Sequence, residues 1–443
     1  MEIDTITGNE DPTVKGKQIH DIEIERQRAI LLVLVPATEE RVHAKHRGEE
    51  LQALVSTMGP LTVHTLMIPM REPNSATLIG SGKVAEIKTL IDTYESDLVI
   101  FDRSISPRVQ RNLERELECC VIDRDEVILQ IFADRAATKE ASLQIELARL
   151  EYSLPRLTRM WTGLSRQHGG VKGTRGGGEQ QLELDRRQIK EKIAFLKDQL
   201  KKVQQQRSVQ RSQRQNSNVP LGAIVGYTNS GKSSLLNALS QAGVLVENKL
   251  FATLDPTTRA VKLPGGAEVL LSDTVGFVSD LPHNLVDSFK STLEEAKFAD
   301  FLIIVCDAAH PDMLGSYATT VNVLEELGCT DKPTIVMINK MDSVHDDFAV
   351  ARLKSMYSPV VETSVIQGEG LDDLLKQIGE TLHELCPVSY YLIPESRYDL
   401  IAHIRRSGQV LSIDYLDEGI LVETQILERY QSPLLDFKVK GKK

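Results

Sequence analysis

The run Gly226-Tyr227-Thr228-Asn229-Ser230-Gly231-Lys232-Ser233 sets two glycines ahead of a lysine and a hydroxyl, in the spacing G-x-x-x-x-G-K-[ST]. Those residue types suit an anion. Glycines let backbone N–H groups come close to phosphate oxygens, and a helix starting at the lysine adds partial positive charge. Lys232 is then expected to reach the β- and γ-phosphates of a nucleotide, and the Ser233 hydroxyl to hold Mg2+. The flanks fit: Leu221–Val225 is a short apolar run of strand character, and residues 234–239 have helical apolar spacing. A plain glycine-rich turn would need neither.

A second group, Asn339-Lys340-Met341-Asp342, ends Thr334–Ile338, a run of buried-strand composition. A carboxylate at Asp342 can accept from the N1–H and the 2-amino group of guanine. Adenine offers neither arrangement, and a mismatch leaves buried polar groups unpaired, so discrimination is large. Between the two motifs, the strand-like residues 269–272 lead into Asp273-Thr274-Val275-Gly276. Asp273 is placed to support Mg2+ through its water shell, and the Gly276 N–H to sense a γ-phosphate. Loss of that phosphate would release the segment that follows.

These motifs need a scaffold, and the chain is long enough for two to four domains at 443 residues. Apolar content of 41% and charged content of 26% are those of a globular chain. A formal net charge of −11 argues against indiscriminate nucleic-acid binding. Charge is uneven, however: residues 155–215 hold fifteen Lys/Arg against five Asp/Glu, a local net of +10. An anionic partner is expected there. Cys119, Cys120, Cys306, Cys329 and Cys386 lack metal-ligand spacing and fit a reducing compartment. No apolar run reaches the roughly 18 residues of a membrane span, and the polar N-terminus is unlike a signal peptide. A cytoplasmic protein is expected, with peripheral membrane contact left open.

Along the chain, residues 1–26 read as a flexible leader and 27–123 as a small α/β domain. In the latter, strand-like runs at Ala29–Val35, Leu61–Ile68, Leu98–Phe101 and Cys120–Ile122 alternate with helical spacing, which predicts a mostly parallel sheet. Gly80-Ser81-Gly82-Lys83 resembles part of a phosphate loop but lacks its full spacing, and a tight turn is the simpler reading. Residues 124–203 predict a helical hairpin, with one helix from Asp125 to Leu154 and a second from Leu182 to Val203. The glycine- and basic-rich stretch between them leaves Arg166, Lys172 and Arg175 available to phosphate. Residues 204–218 read as a glutamine-rich linker. Residues 219–387 predict a doubly wound, mostly parallel sheet of six strands with its ligand at the strand C-terminal ends, the last of them closing over the purine at Thr363-Ser364-Val365. Residues 388–443 predict a small α/β domain with a hairpin around Asp417-Glu418-Gly419.

Together with FATLDPTTR at Phe251–Arg259, DTVGF at Asp273–Phe277, and the GSGKVAEI and TRGGGEQQLELDRR stretches, these motifs resemble the HflX branch of the translation-factor-related GTPases. The likeness runs from Ala29 over nearly the whole chain. It implies Mg2+-dependent hydrolysis of GTP to GDP and phosphate by a monomeric switch. It also implies binding to the large ribosomal subunit and its RNA, and subunit dissociation or rescue under stress. By position, the first-switch threonine falls on Thr253, a second Mg2+ ligand, although Thr257 and Thr258 compete for that role on residue chemistry alone. Phe251, Ala252, Thr253, Leu254 and Asp255 would line the nucleotide, as would Thr274 and Val275. Ser364-Val365 matches the loop near the base, with valine in place of the usual alanine. Lys232, Thr253 and Gly276 are the expected catalytic groups. Asn229 resembles the asparagine that binds K+ in some relatives, with a plain turn role as the alternative.

Phe277 stands where many GTPases carry a water-orienting glutamine. Phenylalanine cannot hydrogen-bond a water, so slow hydrolysis by the isolated chain is expected, with packing beneath the switch as the bland reading. Two rivals differ in class. One is a GTP-regulated binding module controlling a protein or membrane complex, which the net negative charge would suit. The other is an ATP-using RNA remodeller, against which NKMD argues.

Overall fold

The computed structural model describes residues 26–38, 41–70, 73–157, 177–215, 219–240, 257–264, 266, 268–277, 295–427 and 430–439. The first domain comprises β1 (Arg28–Pro36), α1 (Arg41–Met58), β2 (Leu61–Met70), α2 (Ser81–Tyr94), β3 (Leu98–Phe101), α3 (Pro107–Leu117) and β4 (Cys120–Asp123). All pairings are parallel in the order β2-β1-β3-β4. The continuous apolar run of β1 follows from its interior place, because helices cover both faces. Ala29 and Leu31 join Leu51 and Leu54 of α1, while Ile30, Leu32 and Leu34 join Val84, Ile87, Val109 and Leu113 of α2 and α3. Alternation with period two thus feeds two cores. Gly80 lies just ahead of α2, and Lys83 pairs with Glu86 at 2.6 Å, so the phosphate-loop-like fragment is a helix start with a local ion pair.

The single helix expected over residues 125–154 is two: α4 (Arg124–Arg135) and α5 (Lys139–Ser153). Ala136 turns extended, and the Thr138 side chain accepts from the Ala141 N–H to start α5. Apolar spacing of three and four is satisfied within each helix and carries no sign of a cap between them. Next, α6 (Gly177–Gln215) lies along α5, with Lys192 on Glu146 at 2.6 Å and Lys197 on Glu151 at 2.8 Å. The fade into a linker expected at Gln204 does not occur: α6 continues to Gln215. Glutamine and arginine are good helix formers, so polar composition there does not end the helix. The leader and the glycine-rich segment with Arg166, Lys172 and Arg175 lie outside the described residues.

The third unit is built from β5 (Leu221–Gly226), α7 (Lys232–Ser240), β6 (Thr257–Lys262), β7 (Glu268–Asp273), β8 (Phe301–Asp307), α8 (Met313–Glu326), β9 (Thr334–Asn339), α9 (Asp347–Met356), β10 (Val360–Glu362) and α10 (Leu371–Leu385). Its sheet has the order β10-β9-β8-β5-β7-β6 and is parallel except for the edge strand β6. The chain ends in β11 (Val388–Ile393), α11 (Tyr398–Ser407), β12 (Gly408–Leu416), β13 (Gly419–Ile426) and β14 (Lys438–Val439). Every pairing there is antiparallel, and α11 is the α-helix among the described residues of this small domain. Gly419 takes φ +142° at the predicted hairpin turn, where only glycine is at ease.

Candidate nucleotide site

Strand register assembles the site at the C-terminal edge of the six-stranded sheet. Ile224 pairs with Asp273, Gly226 with Val305, and Asp307 with Asn339. Three motifs remote in sequence therefore meet at one edge, where ligands of open α/β sheets bind. The phosphate loop turns through Gly226 at φ +149°, Asn229 at +60° and Gly231 at +100°. A Cβ on Gly231 would run into the Asn339 amide. That close approach is used: Asn339 Nδ2 donates to Ser230 O at 2.9 Å, and Asn339 Oδ1 accepts from Val365 N at 3.1 Å. One buried amide ties the phosphate loop to the last loop.

Lys232 begins α7 and is buried, with Nζ donating to Tyr227 O at 2.7 Å. Burial pushes its ammonium pKa down to about 8, and the Asp273 carboxylate opposes that shift. The Ser233 hydroxyl donates to Asp273 Oδ2 at 2.6 Å. A hydroxyl beside a carboxylate is a hard oxygen set and fits Mg2+. Among the described residues, no cluster of three or more His, Cys, Asp and Glu forms another metal site. Thr274 Oγ1 donates to Ile224 O at 2.8 Å, which fastens the DTVG strand end to β5.

Gly276 lies against the phosphate loop, where a Cβ would meet Thr228 Cα at 2.8 Å and Lys232 Nζ at 3.0 Å. Beyond it, Phe277 N donates to Gly226 O at 3.1 Å and Thr228 N to Phe277 O at 2.7 Å, a short parallel bridge. The Phe277 ring is 1% exposed and packs with Tyr227, Ala223 and Val225. It takes the packing role, with no polar group to offer a water.

At the purine end, Asp342 is exposed and accepts from the hydroxyls of Ser364 at 2.5 Å and Ser343 at 2.8 Å. Those two hydrogen bonds hold its carboxyl below the usual range. Lys340 adopts φ +63° and pairs with Asp307 at 2.7 Å. Met341 N donates to Thr363 O at 3.2 Å, and Thr363 N to Ile338 O at 2.8 Å, so the two base loops share a backbone seam. Ser364 thus places its hydroxyl on the carboxylate expected to read guanine. Asp307 was missed, although a carboxylate at the end of a central strand was the available signal. Asn229 is exposed in its left-handed turn. Phe251, Ala252, Thr253, Leu254 and Asp255 lie outside the described residues. Their competitors Thr257 and Thr258 open β6, with Thr258 Oγ1 on Ser272 Oγ at 3.3 Å.

Fold and site together define a P-loop protein that binds guanine nucleotides and hydrolyses GTP. Residues 222–340 match the family model described as 50S ribosome-binding GTPase, residues 45–133 that of GTP-binding GTPase N-terminal, and residues 135–214 that of GTP-binding GTPase Middle Region. The chain is 55% identical over 341 residues to the GTPase HflX of Treponema denticola, covering 75% of this chain and 87% of that protein. It is 44% identical over 423 residues to the GTPase HflX of Akkermansia muciniphila, covering 93% and 97%. The chain belongs to the HflX family of GTPases. A GTP-binding protein from the archaeon Sulfolobus solfataricus, solved with GDP, is 29% identical, covers 81% of this chain and 99% of that one, and superposes with a TM-score of 0.44. No helix among the described residues is long and apolar enough to cross a membrane.

Proposed function

We propose that this GTPase is a ribosome-associated switch that binds the large ribosomal subunit in its GTP state and promotes subunit dissociation or rescue under stress. The observation that carries this reading is the match of residues 222–340 to a family described as 50S ribosome-binding GTPases. The basic balance of residues 155–215, where anionic RNA would be met, supports it.

In this reading Ser233 and Thr253 would hold Mg2+, with Asp273 supporting its water shell, and the ion would supply positive charge at the phosphates. Lys232 stabilises the charge that develops on the β–γ bridge and the γ-phosphate, the Gly276 N–H reads the γ-phosphate, and Asp342 with Lys340 and Asn339 secures guanine. Water attacks the γ-phosphorus, the bond from that phosphorus to the β–γ bridging oxygen breaks, and GDP, inorganic phosphate and the water's proton are released. Because Phe277 offers that water nothing, turnover by the chain alone is slow and a partner supplies the missing group. Cosedimentation with separated ribosomal subunits, in GDP and in a non-hydrolysable GTP analogue, tests the proposal. Triphosphate-dependent recovery with the large subunit is expected; absence from both pellets in both states overturns it.

A further inference from the structure

Tyr227 follows the strand-ending glycine of the phosphate loop; its ring is buried in the apolar cluster of Phe277, Ala223 and Val225, and its hydroxyl reaches the first domain. Its hydroxyl donates to Glu50 Oε1 on α1 of the first domain. The other oxygen, Glu50 Oε2, accepts from Arg124 Nη2 at 2.9 Å. The Arg124 side chain is 1% exposed and that of Glu50 15%, so a buried guanidinium fixes the place of the carboxylate. A charged acceptor gives the tyrosine a stronger bond than a neutral one would. On its other side the Tyr227 ring meets His310 edge-on, with centroids 5.7 Å apart. Glu50, Tyr227 and His310 line a cleft of about 310 Å³.

The main chain of the same residue is part of the phosphate machinery. Tyr227 O accepts the Lys232 ammonium, and Gly226 and Thr228 on either side of it bridge to Phe277. Val275 of the DTVG segment belongs to the apolar cluster of Leu51, Leu54, Val127 and Phe132 in the first domain and α4. The first domain therefore grips the nucleotide site at two points, one polar and one apolar.

We propose that Glu50 is a positioning residue for guanine-nucleotide binding. Acting through Tyr227, it holds the phosphate loop in the shape that places Lys232 and the loop N–H groups, so the first domain completes a site whose ligand contacts all lie in another. The effect is preorganisation, which acts on affinity more than on the chemical step. It requires no ribosomal partner.

The test uses the full chain without ribosomes and titrates a fluorescent GDP analogue, with GTP turnover measured in parallel. Tyr227→Phe removes only the hydroxyl and is expected to weaken GDP binding about ten-fold, the equivalent of about 1.4 kcal/mol. KM for GTP should rise by a similar factor, with kcat altered less than about three-fold. Glu50→Ala should match it, the double variant should be no weaker than the stronger single variant, and Glu50→Gln, which keeps an acceptor for the tyrosine, should recover most of the affinity. GDP affinities within about two-fold of the parent, or losses that multiply in the double variant, overturn the proposal. So does a lowered thermal midpoint with unchanged affinity, the mark of a purely structural contact. If Glu50→Ala, which takes away the carboxylate bound by Arg124, does not fold, Tyr227→Phe and Glu50→Gln decide: a ten-fold loss in the first with little loss in the second upholds it.

Discussion

The purine end and the phosphate end of this cleft are built on different plans. Asp342, Lys340 and Asn339 are held by Ser364, Asp307, Val365 and Ser230, all within one domain. At the phosphate end, Tyr227 reaches Glu50 and Val275 enters the core of the neighbouring domain. The groups expected to read the base are thus held within one domain, while those expected to meet phosphate also touch a second body. In a switch, only the end that senses the γ-phosphate has to report elsewhere.

Breaking the base reader gives the largest effect. Asp342→Ala is expected to reduce GTP affinity by roughly two orders of magnitude or more, while leaving thermal stability nearly unchanged because the side chain is exposed. Competition between nucleotides measures it, and retained selectivity for GTP over ATP would count against Asp342 as the reader. Gly276→Ala comes next. Its Cβ would press on Thr228 Cα and the Lys232 ammonium, and overpacking of this kind costs about 1–3 kcal/mol. GTP turnover should fall more than GDP binding, as single-turnover hydrolysis and GDP titration would reveal. Asp307→Asn frees Lys340 from its carboxylate, and a hydrogen bond to a charged group is worth about 1.5–3 kcal/mol, so guanine affinity should fall about ten-fold with kcat preserved. Equal loss for a purine-insensitive phosphate ligand would place the effect at the wrong end.

The phosphate end has a pH signature in the alkaline range. Burial lowers the Lys232 pKa to about 8, against 10.5 for the exposed group. A depressed lysine favours the folded chain most above about pH 10.5, and that contribution is lost as pH falls through about 8. A phosphate raises the same pKa again, so nucleotide binding should take up a proton and weaken as pH rises above about 8. Calorimetry in buffers of different ionisation enthalpy would detect the uptake, and its absence near pH 8.5 would contradict the assignment. The smallest expected difference concerns Asn229. If it binds K+, turnover in KCl exceeds that in NaCl; equal rates leave it as the turn residue that its left-handed backbone already explains.

Much of the site was legible because each motif is a local demand on a few consecutive residues. A phosphate loop requires glycine where φ is positive, a lysine at the helix start and a hydroxyl after it, and Gly226, Gly231, Lys232 and Ser233 meet those demands in place. Asp342, the carboxylate expected to meet guanine, likewise follows a buried strand. The alternating strands of the first domain and the doubly wound sheet follow from period-two burial and from order along the chain. The break between α4 and α5 was not legible, because the Thr138 cap leaves helical spacing intact on both sides. Nor was the persistence of α6 through its glutamines.

The contacts between segments follow from packing. Asp307 reaches Lys340 because β8 and β9 pair in one register, and Ser364 reaches Asp342 because the last two loops share a seam. Glu50 and Tyr227 lie 177 residues apart, on a helix of one domain and a loop of another. Periodicity and motif spacing report the environment of a residue along its own element, whereas a partner across a domain interface is fixed by how whole elements pack. Motif spacing along the chain is enough to expect a guanine nucleotide and to name the groups that would read it; packing sets which other body holds those groups in place.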